Sequence, residues 1–201
     1  MNNELPPDIH DRKTDHLTDL KSLNISLELP SLRFAESFFQ AMVEFEEDDN
    51  PQIPHNMTED EFPAYLQRLH DQSVGKNLKE GHVPSMEFWI ADADGFAGRI
   101  ILGLKFVPSP VRCGHHVGYA IRPSKRRKGY ATRALRLLLD EALKLHIFEL
   151  MPTCDVDKLA SRKVIERNGG VLLNPSPNEE RTDRELRYLI DLTLSERANG
   201  R

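Results

Sequence analysis

Between Tyr119 and Lys144 the apolar pattern changes period with no linker in between. Up to Ile121 it follows the two-residue alternation of a strand; beyond it Ala131, Ala134, Leu135, Leu138, Leu139 and Ala142 recur at steps of three and four, with Arg133, Arg136, Asp140 and Lys144 outside that face. A strand that runs straight into an amphipathic helix restricts the chain to folds in which helices pack on a sheet. The junction carries four cations, Lys125-Arg126-Arg127-Lys128, and ends in Gly129. The first N–H groups of a helix have no intrahelical acceptor and lie at the positive end of its dipole, so this turn suits an anion such as a pyrophosphate. Gly129 lacks a Cβ and lets the backbone approach closely, and Ala131 keeps the first turn narrow. The competing reading is a solvated basic turn in front of an ordinary helix.

The flanking sequence supplies the rest of a sheet protein. Ile25 to Leu29 alternates as a half-buried strand, and Pro30-Ser31 stops it and opens a helix striped by Phe34, Ala35, Phe38, Phe39, Met42 and Phe45. That helix ends in Glu46-Glu47-Asp48-Asp49; the acidic run from Glu44 suits either the entrance for a cationic substrate or a solvated helix end. Thr58-Glu59-Asp60-Glu61 is a capping box for a second helix carrying Phe62, Tyr65, Leu66 and Leu69. Met86–Ala91 and Ala97–Phe106 form a hairpin around Asp92-Ala93-Asp94-Gly95, and His115–Ile121 is a third strand. After the central helix come a strand at 149–154, a helix at 157–167 stopped by Asn168-Gly169-Gly170, and strands at 171–173 and 185–192. The expected class is α/β, more narrowly α+β. Residues 1–22 read as a flexible tail, 23–195 as one domain and 196–201 as a short C-terminal tail.

Composition removes several function classes. No apolar run approaches the length of a membrane span, the N-terminus does not read as a secretory signal, and the net charge of −5 argues against a nucleic-acid coat. Cys113 and Cys154 are too few for a disulfide framework or a clustered zinc site, so neither metal nor thiol nucleophile is expected, and the cytoplasm is the expected compartment.

Neither a P-loop nor a G-x-G-x-x-G fingerprint is present. The junction instead resembles motif A of the GCN5-related N-acetyltransferases (GNAT), Gln/Arg-x-x-Gly-x-Gly/Ala, with Arg126, Gly129 and Ala131 at its defined positions and Thr132 following. The residues from Asp157 to Gly170 look like motif B. The resemblance implies a mostly antiparallel sheet of about seven strands with a splayed central pair, about four helices, and acetyl-CoA as co-substrate. It further implies that Tyr119, Ala120 and Ile121 pair with the pantetheine arm, that Arg126, Arg127, Lys128, Gly129, Tyr130, Ala131 and Thr132 hold the pyrophosphate, and that Ser161 reaches the coenzyme. The N–H of Ile121 would polarise the acetyl carbonyl, and the acceptor, a small-molecule or peptide amine, would enter between the first two helices and nearby loops.

The chain departs from the family pattern where Ile165 replaces a tyrosine that serves relatives as general acid, and where Lys158 replaces an asparagine. Tyr119 is then a candidate proton donor, and His115 and His116 are candidate bases on the strand leading into the cleft, with Glu87 on the hairpin as a third, weighed against a polar residue on a strand's wet face. Strand alternation sends the two histidines to opposite faces, and each is weighed against an ordinary structural role. Rival readings are a non-catalytic acyl-CoA sensor and a basic-turn interaction protein; a homodimer is compatible with either.

Overall fold

The computed structural model describes residues 23–48, 53–54, 56–105, 116–173 and 185–193. The expected tails at 1–22 and 196–201, and with them His115 and Cys113, lie outside the described residues.

Strands β1 (Ser26–Glu28), β2 (Ser85–Asp92), β3 (Gly95–Gly103) and β4 (Val117–Ile121) form one antiparallel sheet in the order β1-β2-β3-β4. The β2–β3 turn closes on Asp92, whose Oδ1 accepts the N–H of Asp94 at 2.8 Å, while Gly95 takes a φ of +101°. Alternation along the strands feeds two cores. Phe88, Ile90, Ile100, Leu102, Val117 and Ile121 pack toward α3 (Tyr130–Lys144) and its stripe of Ala134, Leu135, Leu138 and Ala142. Trp89, Ala91, Phe96 and Ala120 face α1 (Ala35–Glu47) and α2 (Phe62–Ser73). On that side the Phe38 ring stacks on Trp89 with centroids 5.0 Å apart, both side chains fully buried. The capping box forms, with Glu61 Oε2 accepting the Thr58 N–H at 2.8 Å, and Pro63 falls in the first turn of α2, where no N–H is required.

The second sheet is built on β8 (Glu185–Asp191), flanked by β5 (Glu149–Leu150) and β6 (Thr153–Asp155) and by β7 (Val171–Leu172). The strand expected at 149–154 is present in one unbroken register with β8 but is divided at Pro152, which has no N–H and contributes only its carbonyl, accepting from Tyr188 at 3.0 Å. This division makes eight strands of the expected seven. Helix α4 (Leu159–Arg167) packs on α3. Asn168, 4% exposed, links the two helices: its Nδ2 donates to Thr132 O at 3.1 Å and to Val164 O at 2.8 Å. Among the described residues no ladder joins β4 to the second sheet, although Ile121, Cys154, Tyr188 and Ile190 share one core. The strands thus stand as two separate sheets, an arrangement that suits the expected splayed pair.

Candidate active site

The edge of β4 is open toward that separation, and the ladder with β3 decides which of its groups face it. Gly103 N donates to His116 O at 2.8 Å and Arg122 N to Ala97 O at 2.9 Å, at the two ends of one continuous register. In an antiparallel pair alternate residues exchange both bonds, so His116, Gly118, Ala120 and Arg122 turn their main chain to β3. Val117, Tyr119 and Ile121 turn theirs to the cleft. Tyr119 and Ile121 therefore fit the expected strand-like pairing. Ala120 does not: its backbone belongs to Arg99 of β3, and its side chain is buried on the α1–α2 side.

The end of β4 is shaped by a bulge in β3. The register shifts at Ile90/Ala91, leaving Ala97 as the extra residue whose carbonyl catches Arg122. Gly98 follows at φ +155°, and a Cβ there would lie 2.4 Å from Ala120 O and 3.1 Å from the Ile121 Cα.

Beyond Ile121 the chain makes a short 3-10 turn at Pro123–Lys125 and then a nest. Arg127 (φ +58°) and Gly129 (φ +87°) adopt left-handed conformations on either side of Lys128. The helical ladder begins with Arg133 N donating to Gly129 O at 3.0 Å. Among the described residues the six consecutive N–H groups from Arg127 to Thr132 meet no acceptor. They sit at the N-terminus of a 15-residue helix, where the dipole adds to their pull on an anion.

The four cations of this turn divide into two pairs. Lys125 is consumed internally: Nζ lies 2.7 Å from Asp92 Oδ2 and 2.6 Å from Asp94 Oδ2, and Tyr130 Oη also donates to Asp92. These bonds raise the Lys125 pKa and outweigh burial to lower that of Asp92. Arg126 donates through Nε to Ile121 O at 3.1 Å and through both terminal nitrogens to Asp48 at 2.9 and 2.8 Å. Glu44 of α1 takes Arg122 Nε at 2.7 Å and Ser124 N and Oγ at 2.9 and 3.1 Å, bonds that lower its pKa despite partial desolvation. Arg126 and the Tyr130 ring are therefore anchors, leaving Tyr130 to contribute its N–H, while Arg127 and Lys128 are exposed at the nest. Glu44 and Asp48 of the acidic run clamp the turn, while Glu46 and Glu47 are exposed and Asp49 lies outside the described residues. Each of these acids was visible in the sequence; the pairing across about eighty residues was not.

Tyr119 sends its phenol toward β6 and α4. The oxygen is buried and has no hydrogen-bond partner among the described residues, with Ser161 of α4 and Cys154 of β6 near it. Burial raises its pKa, Ser161 pulls it down without reaching hydrogen-bond geometry, and Cys154 pushes it up; the net direction is upward. Ile165 is 1% exposed and belongs to the core, so no side chain from that position reaches the coenzyme. Lys158 is exposed and pairs with Asp155 at 3.3 Å. His116 is exposed on the other face, its Nε2 3.7 Å from where a Gly118 Cβ would sit. Glu87 is 7% exposed, with Trp89 Nε1 on Oε1 and Arg99 Nη1 on Oε2, both at 3.0 Å, which corrects the expectation of a carboxylate on a wet strand face.

Among the described residues no helix is long and apolar enough to cross a membrane, and no group of three or more His, Cys, Asp or Glu could hold a metal ion. No curated protein sequence matches the chain. In fold it resembles the microcin C7 self-immunity acetyltransferase MccE in complex with acetyl-CoA and AMP (TM-score 0.61, 16% identity, 85% of this chain and 93% of that one). It also resembles RimL, the ribosomal L7/L12 α-N-protein acetyltransferase, in complex with coenzyme A (0.61, 17%, 85% and 96%). RimJ of Mycobacterium smegmatis, in complex with CoA-disulfide, is similar too (0.58, 19%, 88% and 90%). The sequence profile of the acetyltransferase (GNAT) domain matches residues 27–171, from the first strand through motif B to β7, and with the donor nest and the open strand edge falling inside that span the chain belongs to the GNAT family of acetyl-CoA-dependent N-acetyltransferases.

Proposed function

We propose that the chain acetylates a primary amine by direct transfer from acetyl-CoA, with the coenzyme held along β4 and at the nest. The observation that carries this reading is the run of acceptor-free N–H groups from Arg127 to Thr132, continuous with a strand edge whose alternate residues face the same cleft. Bound there, the coenzyme supplies an activated thioester. The chain's own contributions are distinct. Main-chain N–H groups of the nest, with Arg127 and Lys128, would hold the diphosphate, while Tyr119 and Ile121 present N–H groups suited to the pantetheine amides and to a developing oxyanion. Ile121 O is held by Arg126, which fixes the strand end rather than leaving it for the coenzyme.

The raised pKa of Tyr119 keeps its oxygen protonated across the working range, which suits a proton donor in place of the one lost at Ile165. On the opposite face His116, beside the open room at Gly118, is suited to accept the proton of the attacking amine. His115, the other candidate, lies outside the described residues. The dependence on acetyl-CoA extends the reading to a cytoplasmic site of action. A docking role for the basic turn is disfavoured, because two of its four cations are neutralised within the molecule.

Calorimetry with coenzyme A on the wild type and on Gly129→Arg tests the binding half. Saturable binding that collapses in the variant is expected, and absence of binding by the wild type overturns the reading. Release of free thiol from acetyl-CoA in the presence of an amine panel tests the transfer.

A further inference from the structure

The face of the sheet turned to α1 and α2 holds a polar cluster that the coenzyme site does not use. Across three strands Glu87, Ile101 and Gly118 stand in one row, and Trp89, Arg99 and Ala120 in the next. Both oxygens of Glu87 are engaged, by Trp89 Nε1 and by Arg99 Nη1. What remains unsatisfied among the described residues is all donor. The Tyr65 hydroxyl is buried on a residue only 5% exposed and points toward Glu87 without reaching hydrogen-bond geometry; burial and the adjacent Glu87 carboxylate raise its pKa, so it keeps its proton. Among the described residues Arg99 uses only Nη1, and its side chain is 24% exposed where that of Glu87 is 6%. A second guanidinium, Arg68, lies 5.7 Å over the Tyr65 ring, and both arginines act electrostatically on the phenol.

Among the described residues a Cβ on Gly118 would meet only the His116 imidazole within 4 Å, and Gly118 lies between Val117 and Tyr119, whose main chains turn away from β3. Buried donors left unpaired are costly, and a cluster with two guanidiniums, one phenol and one saturated carboxylate attracts an oxygen anion. Resting on the acetyltransferase reading above, we propose that Arg99 and Tyr65, with Arg68 at the rim, select an acceptor whose amine carries a nearby carboxylate.

The test pairs each amine as free acid and as carboxamide, for example β-alanine with β-alaninamide and glycylglycine with glycylglycinamide, and reads kcat/KM by thiol release. A carboxylate makes its own amine the stronger base, so an indifferent site favours the amide, whose amine is more often neutral. The expected result is a preference for the acid of about tenfold or more in the wild type. Tyr65→Phe, which removes one oxygen from an otherwise apolar ring, and Arg99→Gln should each shrink that preference by raising KM for the acid and leaving the amide alone; thermal melting confirms that each variant is folded. A purely structural cluster moves stability and both acceptors together. Equal use of acid and amide, a preference that survives in both variants, or coenzyme binding without acetylation of any pair overturns the proposal. Failure of coenzyme A to bind overturns the acetyltransferase reading itself.

Discussion

Arg126 and Asp48 face each other in a two-pronged ion pair, Nη1 to Oδ1 at 2.9 Å and Nη2 to Oδ2 at 2.8 Å, that ties the coenzyme turn to the C-terminal end of α1. The third bond of the same guanidinium, to Ile121 O, joins the pair to the last residue of β4. Arg126 is the motif residue that most suggests a phosphate ligand, yet all its bonds run inward. In the proposed coenzyme site its part would be to hold the strand end and the nest at a fixed distance.

The two roles predict opposite signs for Asp48→Asn. If Arg126 were a phosphate ligand restrained by Asp48, freeing it would tighten coenzyme binding. As an anchor, its loss of a partner weakens binding, with Kd for coenzyme A rising roughly threefold to tenfold. Arg126→Ala should weaken binding as well, and the double variant should be little worse than either single one, since both remove the same constraint. Calorimetry on the four proteins of this cycle gives the sign and the coupling.

Gly129 sits at φ +87° immediately before the first residue of α3. An alanine there costs about 1–2 kcal/mol in the left-handed region, which lowers Tm by roughly 2–8 °C for a chain of this size. Because the strain falls on the nest, Gly129→Ala should also weaken coenzyme A binding by more than that change in stability implies for the folded fraction. Melting curves with and without saturating coenzyme A separate the two effects: the ligand-induced rise in Tm should shrink along with the baseline.

The fold was largely legible in the chain because each element carries its own period. The α3 stripe, the Asp92–Gly95 turn and the capping box at Thr58 are local patterns read over a few residues, and each is present. Gly129 and the orphan donors behind it were legible for the same reason. Three things were not. The division of the basic run into ion-paired anchors and exposed cations depends on Glu44, Asp48 and Asp92, brought in by tertiary packing. The exclusion of Ala120 depends on ladder phase, which sequence alternation fixes for side chains but not for main-chain direction. Glu87 looked like an exposed strand residue because its partners, Trp89 and Arg99, are distinguished only once β2 and β3 are in register.

Gly98 tests how far the bulge in β3 governs the cleft. Its missing Cβ is the space into which Ala120 O projects, at 2.4 Å from the ideal Cβ position, and backbone on both sides leaves no flexible group to yield. Gly98→Ala should destabilise the protein by about 1–3 kcal/mol, the range for forced overpacking. It should also weaken coenzyme binding, since the shift falls on Ile121. A variant with unchanged urea midpoint would show that the two strands separate there at little cost.

The clamp from α1 has a pH signature. Glu44 is held below the usual carboxylate range by the Ser124 N–H, the Ser124 hydroxyl and Arg122, which together outweigh its partial desolvation. A group with a lowered native pKa stabilises fully above its unfolded value and loses that contribution as pH falls through the native one. The wild type should therefore lose urea resistance below about pH 4. Glu44→Gln should start from a lower midpoint at neutral pH and fall less steeply with acid, so that the two curves converge at low pH. Parallel curves would remove Glu44 from the linkage.

Tyr119→Phe addresses the chemistry most directly. The phenol oxygen is buried without a partner among the described residues, and its replacement by hydrogen leaves the ring packing and the main-chain groups of β4 in place. If the oxygen protonates the departing thiolate, kcat should fall by about tenfold or more while KM for acetyl-CoA stays nearly constant. The expected loss sits at the low end for a general acid because a thiolate departs with less help than an alkoxide. The pH profile adds a second constraint. Burial raises the Tyr119 pKa, so the wild-type kcat should show no alkaline decline from this group below about pH 10. A decline that begins near neutrality and is abolished in Tyr119→Phe would mean that the phenolate forms early, and would transfer the role of proton donor to another group in the cleft. A variant with full kcat would assign the buried hydroxyl to packing, with Ser161 or solvent left to protonate the sulfur.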